Sequence, residues 1–274
     1  MGEQQANNAW MELLHFPLKE RSKKPRRKGL TMILDKGLGL EETKDLLNTA
    51  GDYIDFLKLG FGTSALYPKK TLEEKISLAK NFHVYIYPGG TFLEIAIMQD
   101  KLKEFFLMAK VLGYTAIEVS DGTLNISPEV RAQAISMAAE KGFKVLTEIG
   151  KKNPLDRVPI EQTAEQICLD LKNGAYKVIV EGRESGKDTG LYDKEGHFIE
   201  DHVDQILSAV NKPDLLIWEA PLKEQQQELI LEHGPDVNLG NIPPHEAMAL
   251  EALRVGLRSD TLRSIFNDLP VHVS

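Results

Sequence analysis

Carboxylates recur just past short apolar runs in this chain: Asp35 after LTMIL, Glu118 and Asp121 in AIEVSDG, Glu148 in KVLTEIG, Glu181 in KVIVEG and Glu219 in DLLIWEA. Cations follow the same rule at Lys36, Lys58, Lys151, Lys152 and Arg183. Hard oxygen ligands of this kind suit magnesium, which takes a few carboxylates and leaves positions for substrate and water. Arginine suits two-pronged contact with phosphate or sulfonate, and lysine can give up a proton or, once desolvated, attack a carbonyl. Two chemistries stay open on these residues alone: a metal-assisted reaction on a polyanion, and a lyase or aldolase working through a lysine Schiff base. YPGGTFLE adds the amides of Gly89, Gly90 and Thr91 ahead of a helix. They form either an anion cradle or a plain strand-to-helix turn. The seven histidines show no HxH or HExxH spacing, so zinc is not indicated, and neither a GxSxG elbow nor a phosphate-binding P-loop is present.

Something must gather these groups. Eight runs rich in Val, Ile, Leu and Tyr recur at 30–37, 53–60, 83–90, 116–122, 144–150, 177–182, 214–220 and 237–242. Amphipathic stretches lie between them. TLEEKISLAKN offers Thr71 as N-cap with Glu74 three residues on, a capping-box spacing. SPEVRAQAISMAAEKG offers Ser127 as cap, Pro128 at the first helical position and Gly142 as stop, and a later helix stops at Asn173-Gly174. Eight strands alternating with helices predict a (β/α)8 TIM barrel, whose reactive groups collect at the C-terminal ends of the strands. The competing fold is a doubly wound open sheet. It would prefer a glycine fingerprint after the first strand, and DKGLGLEE has Glu42 where the third glycine belongs.

Composition sets outer limits. With 42% hydrophobic and 27% charged residues the chain can bury a large core, and a net charge of −8 argues against a nucleic-acid or anionic-membrane surface. The single cysteine, Cys168, fits a reducing, cytoplasmic setting and reads as a buried helix residue. Neither a secretory leader nor an apolar run long enough for a membrane span is visible. Residues 1–29 read as an N-terminal extension, with RSKKPRRKG a solvated basic arm, and residues 30–274 as the barrel. Trp10 and Trp218 read as packing residues. Glu251, Arg254 and Arg258 read as ties between the last helix and the barrel or a neighbouring copy, so a homo-oligomer is compatible with the sequence.

DFLKLGFGTSALYP, YPGGTFLE, IEVSDGT, EIGKK, VIVEGRESG, WEAPLKEQQ, VNLGNI and LEALRVGLRSDT occur in that order, and together they closely resemble the phosphosulfolactate synthase family over residues 30–262. The resemblance implies a magnesium-dependent addition of sulfite to phosphoenolpyruvate, giving (2R)-phospho-3-sulfolactate. By the same resemblance Lys151 is the general acid, with Lys152 next. Arg183 and Lys58 hold phosphate or sulfite; Lys36, Gly89 and Gly90 are further anion-site candidates from the residues alone. Glu148 and Glu181 lead the metal ligands, followed by Asp121 and Asp35. ESGKDTGLYDKEGHF reads as a loop able to close over the site. The rival of a different class is a non-enzymatic barrel scaffold tied to stress tolerance.

Overall fold

The computed structural model describes residues 9–18, 21–151, 158–210 and 212–266. Eight parallel strands form one sheet: β1 (Thr31–Asp35), β2 (Phe56–Leu59), β3 (Tyr85–Pro88), β4 (Ala116–Val119), β5 (Lys144–Ile149), β6 (Lys177–Val180), β7 (Leu216–Glu219) and β8 (Leu239–Ile242). Their order is β3-β2-β1-β8-β7-β6-β5-β4. The ring closes between β3 and β4 through Thr115. Its amide donates to the Ile86 carbonyl at 3.2 Å, and its Oγ1 accepts the Ile86 amide at 2.9 Å. The open-sheet alternative is thereby set aside. The outer helices are α1 (Leu40–Ala50), α2 (Lys69–Asn81), α3 (Gly90–Met98), α4 (Leu102–Leu112), α5 (Pro128–Glu140), α6 (Ile160–Lys172), α7 (Glu200–Ala209), α8 (Lys223–His233), α9 (Ala247–Arg254) and α10 (Ser259–Phe266).

The two-residue period of a strand divides the core in two. Ile33, Leu57, Ile86, Ile117, Val145, Val178, Leu216 and Leu239 face outward and pack with the helices. Met32, Phe56, Tyr87, Ala116, Leu146, Ile179 and Ile217 make a separate apolar cluster inside the barrel. One step further along the same inward face stand Lys58, Glu118, Glu148, Glu181 and Glu219, each two residues beyond a member of that cluster. A polar layer is thus stacked on an apolar plug. β8 departs from the regular register: Thr31 pairs with Leu239 but Ile33 with Ile242, so one extra residue bulges out. Asn241 within that bulge has a φ of 53°. Bulges commonly re-aim a side chain beside a site.

Helix boundaries follow the sequence signals at α5, where Ser127 Oγ accepts the Val130 amide and Pro128 opens the helix, and at α6, which stops before Asn173 and Gly174. α2 departs from them. It begins at Lys69 behind Pro68, which places Thr71 inside the first turn and not at the cap. Proline at that position ends the preceding extended segment, and the helix starts three residues earlier than a Thr71 cap would place it.

The described part of the basic stretch is no solvated arm. Arg21 pairs with Glu251 and Asp236, Arg26 with Asp55, and Lys24 donates to the carbonyls of Gly51 and Phe82. These residues fasten residues 21–29 to the N-terminal end of the barrel. Arg254, fully buried in α9, donates to the carbonyls of Pro235, Val237 and Leu30 at the same end, and Arg258 pairs with Asp260. Cys168 is exposed on α6, not buried, and Trp10 is 70% exposed while Trp218 is buried. Both misreadings came from a residue's type and not from its helical face.

Candidate active site

A cavity of about 420 Å³ opens at the C-terminal end of the strands. Its wall includes Lys58, Gly89, Gly90, Glu118, Thr123, Glu148, Glu181, Arg183, Glu219 and Asn241. Within that wall Lys58 is shared by three glutamates. The ammonium lies 3.0 Å from Glu118 Oε2, 3.0 Å from Glu148 Oε2 and 3.3 Å from Glu219 Oε1. Burial opposes the charge on Lys58, but the three carboxylates outweigh it and hold the lysine protonated well above its ordinary range. Burial pushes the Glu118 carboxyl up to about 7, against the pull of Lys58 and with repulsion from Glu148 and Glu219 adding to the rise.

A neutral donor fixes each of the four glutamates from one side. The Gly90 amide donates to Glu118 Oε1 at 2.7 Å, Ser120 Oγ to Glu148 Oε1 at 3.0 Å, the Arg183 amide to Glu181 Oε1 at 2.6 Å and the Gly182 amide to Glu219 Oε2 at 3.0 Å. The backbone is shaped for these contacts. A Cβ on Gly90 would stand 2.5 Å from Ser120 Cβ and 2.7 Å from Glu118 Oε1, and one on Gly182 would stand 2.4 Å from the Glu219 carbonyl oxygen. Arg183 adopts a φ of 59°, and its own amide is turned onto Glu181. Asn241 donates from Nδ2 to the Arg183 carbonyl at 3.3 Å, and its buried Oδ1 has no hydrogen-bond partner among the described residues.

Oxygens of Glu148, Glu181 and Glu219 lie within 4.8 Å of one another. Three hard donors around one point, with Lys58 the cation among four glutamates, form a donor set suited to a divalent ion. Of the residues expected to hold metal, Glu148 and Glu181 are in this group. Glu219 joins them, and Glu118 stands beside them on Lys58. Asp35 and Asp121 do not. Asp35 is buried against Lys75 at 2.5 Å and accepts the amides of Gly37 and Leu38, so it braces the turn after β1. Asp121 lies between Arg131 and Lys151, each at 2.9 Å.

The expected cations separate as well. Lys58 and Arg183 line the cavity. Lys36 sits outside on the rim, paired with Glu184 at 2.5 Å. The Lys151 ammonium is turned to Asp121, 2.7 Å from its carbonyl oxygen and 2.9 Å from Oδ2, and Lys151 does not line the cavity. Lys152 lies outside the described residues. Gly89 and Gly90 do line the wall, but their amides are engaged, by the Leu59 carbonyl and by Glu118, so they leave no open anion cradle. Asn238 braces the other end of β8 by accepting the Leu30 amide and donating to the carbonyls of Asp214 and Leu216. The 184–198 loop is folded down: Tyr192 Oη donates to the Glu219 carbonyl at 2.6 Å, and Gln225 Nε2 to the carbonyls of Gly186 and Gly196.

Residues 19–260 match the model of the (2R)-phospho-3-sulfolactate synthase (ComA) family. The chain is 45% identical over 258 residues to the phosphosulfolactate synthase of Methanothermobacter thermautotrophicus, covering 93% of this chain and 99% of that one. It is 43% identical over 243 residues to the Bacillus subtilis phosphosulfolactate synthase, covering 88% and 95%. Among solved structures, the 3-hexulose-6-phosphate synthase of Salmonella typhimurium superposes with a TM-score of 0.54 at 15% identity, covering 84% of this chain and 100% of that one. At that identity the likeness concerns the fold alone.

Proposed function

The chain belongs to the (2R)-phospho-3-sulfolactate synthase family, and from that membership we propose that its glutamate-ringed cavity joins sulfite to phosphoenolpyruvate with a magnesium ion. It is an enzyme that makes phosphosulfolactate, a carbon–sulfur lyase working in the synthetic direction. The observation that carries the finer reading is the cluster of Glu148, Glu181 and Glu219 in the cavity wall. These three would hold the ion. When bound, magnesium supplies positive charge for the substrate carboxylate as negative charge builds there.

The remaining steps fall to the chain's own groups. The sulfur lone pair forms a bond to the methylene carbon. The π pair of the double bond moves toward the carbon that bears the phosphate, and that carbon then takes a proton; no group leaves. Lys151 is the donor assigned to that proton by the family resemblance, with Lys152 second; in the resting arrangement its ammonium is held by Asp121 and must turn from there toward the cavity. Lys58 adds a fixed charge at the cavity floor and keeps Glu118, Glu148 and Glu219 from repelling one another apart. Arg183 at the mouth suits the phosphate or sulfite, and Lys36 on the rim adds to the field that draws anions in. Gly89 and Gly90 shape the wall.

The Schiff-base alternative is disfavoured at this cavity, because a lysine nucleophile must lose its proton and Lys58 is held charged by three carboxylates. The lone cysteine supports a reducing, cytoplasmic setting. No helix among the described residues is long and apolar enough to cross a membrane.

Sulfite-dependent loss of phosphoenolpyruvate, measured with magnesium and with EDTA on wild type and Lys151→Ala, tests the proposal. Consumption that requires the metal and collapses in the variant is expected. Undiminished consumption in EDTA would remove the metal from the reaction, and undiminished turnover in Lys151→Ala would move the proton elsewhere.

A further inference from the structure

The helix α3, GTFLEIAIM, carries one charged residue on an otherwise apolar stretch, and that residue, Glu94, is wholly buried. A carboxylate in such a place is unfavourable unless its oxygens are supplied with donors. Here they are. Oε2 accepts the backbone amides of Thr123 at 3.1 Å and Leu124 at 2.5 Å, and Oε1 lies 3.2 Å from Ser120 Oγ. Glu94 therefore grips the 123–124 end of the segment 120–124 through two main-chain amides and stands beside Ser120 at the other end, where the polypeptide leaves β4 as irregular chain with no ladder or helix to fix it.

What that segment carries gives the contact its meaning. Ser120 touches Glu148 Oε1 at 3.0 Å. Thr123 lines the cavity. Asp121, between them, holds the Lys151 ammonium through both its carbonyl oxygen and its carboxylate. Arg131 grips the other oxygen of Asp121 at 2.9 Å and the Glu148 carbonyl at 3.0 Å. Lys151 is thus placed by a residue that is itself placed from two sides. The Glu94 side acts on main-chain amides, so it sets the path of the loop as well as the aim of one side chain. Glu94 is not among the residues that line the cavity.

We propose that Glu94 is a positioning residue for the synthase reaction: by fixing residues 120–124 it sets where Asp121 holds Lys151. The inference rests on the reading of Lys151 as proton donor. Misplacing a reacting group by about 1 Å lowers turnover on the order of 100-fold, so removal of Glu94 acts on kcat through Lys151 without touching substrate.

The experiment is a double-variant cycle in the sulfite-dependent phosphoenolpyruvate assay, run well below the melting temperature of every protein used. Glu94→Ala is expected to lose about 10- to 100-fold in kcat. Combined with Lys151→Ala it is expected to lose less than about 2-fold more than Lys151→Ala alone, because two residues acting in one chain are not additive. A full multiplicative loss in the double variant overturns the proposal, since Glu94 would then support the fold or some other group. Wild-type kcat in Glu94→Ala beside a crippled Lys151→Ala also overturns it, while leaving Lys151 in its role. Wild-type kcat in Lys151→Ala has a different signature: it removes the proton-donor reading and this proposal together. Should Glu94→Ala not fold, Glu94→Gln carries the same cycle. Its amide oxygen still accepts the two main-chain amides, so a smaller loss of about 3-fold is expected, again absent in the Lys151→Ala background; a 3-fold loss that persists there overturns the proposal.

Discussion

Replacing Lys58 with methionine removes the cation that three buried glutamates share. The ammonium lies 3.0, 3.0 and 3.3 Å from their oxygens, and its side chain is 10% exposed, so water cannot take its place at low energy. Removing one partner from a buried ionic cluster destabilises by about 3–5 kcal/mol. In a domain of this size each kcal/mol lowers the melting temperature by about 2–4 °C, so a drop of about 6–20 °C is expected in EDTA. Methionine keeps most of the stem volume, which confines the effect to charge. A divalent ion at a free concentration about 100 times its Kd returns about 2.7 kcal/mol. If Glu148, Glu181 and Glu219 hold that ion, adding magnesium narrows the gap between variant and wild type, because the ion no longer competes with Lys58 for Glu148 and Glu219. The assay is a pair of thermal melts, each with EDTA and with saturating magnesium. A Lys58→Met melting point within about 2 °C of wild type in EDTA would refute the reasoning, since it would mean the carboxylates are stabilised without the lysine.

Two further outcomes follow from the packing. Gly90→Ala sets a methyl 2.5 Å from Ser120 Cβ and 2.7 Å from Glu118 Oε1, so α3 must back away from β4; a loss of about 1–3 kcal/mol in denaturant midpoint analysis is expected, together with reduced turnover, and an unchanged midpoint would contradict the close approach. Lys24 gives a pH signature: burial lowers its ammonium to about 8, against the pull of Asp55, while an unfolded lysine titrates near 10.5. Between those values the folded chain binds fewer protons than the unfolded one, so stability rises with pH across that window. Wild type should therefore gain on Lys24→Met from about pH 8 to 10.5 in parallel unfolding curves, and a flat difference would show that Lys24 is solvated.

The polar layer was legible because strands have a period of two. Ala116 to Glu118, Leu146 to Glu148, Ile179 to Glu181 and Ile217 to Glu219 repeat one spacing on four successive strands, with Phe56 to Lys58 on a fifth. Asp35 and Asp121 have the same spacing but on the other face, two residues beyond the outward-packing Ile33 and Val119, and are paired with Lys75 and with Arg131 and Lys151. Proximity to a strand end alone did not make the distinction, because it says nothing of which way a side chain points. The basic stretch misled for a related reason. Arg21, Lys24 and Arg26 look solvated in composition, yet their partners Glu251, Gly51 and Asp55 are far along the chain or buried beneath it. Glu94 was missed although its signal is present: a single carboxylate within GTFLEIAIM has no reason to sit there unless donors await it. Asn241 depends on a bulge that local sequence does not announce.

The claim on which the rest depends is that Glu148, Glu181 and Glu219 form one divalent-cation site. Its most direct test is calorimetric titration of Mn2+, standing in for magnesium, into wild type, Glu181→Gln and Asp121→Asn. Binding at a single site in wild type, weakened at least about 10-fold in Glu181→Gln and unchanged in Asp121→Asn, is the expected result. Equal affinity in wild type and Glu181→Gln, or a loss confined to Asp121→Asn, would contradict it.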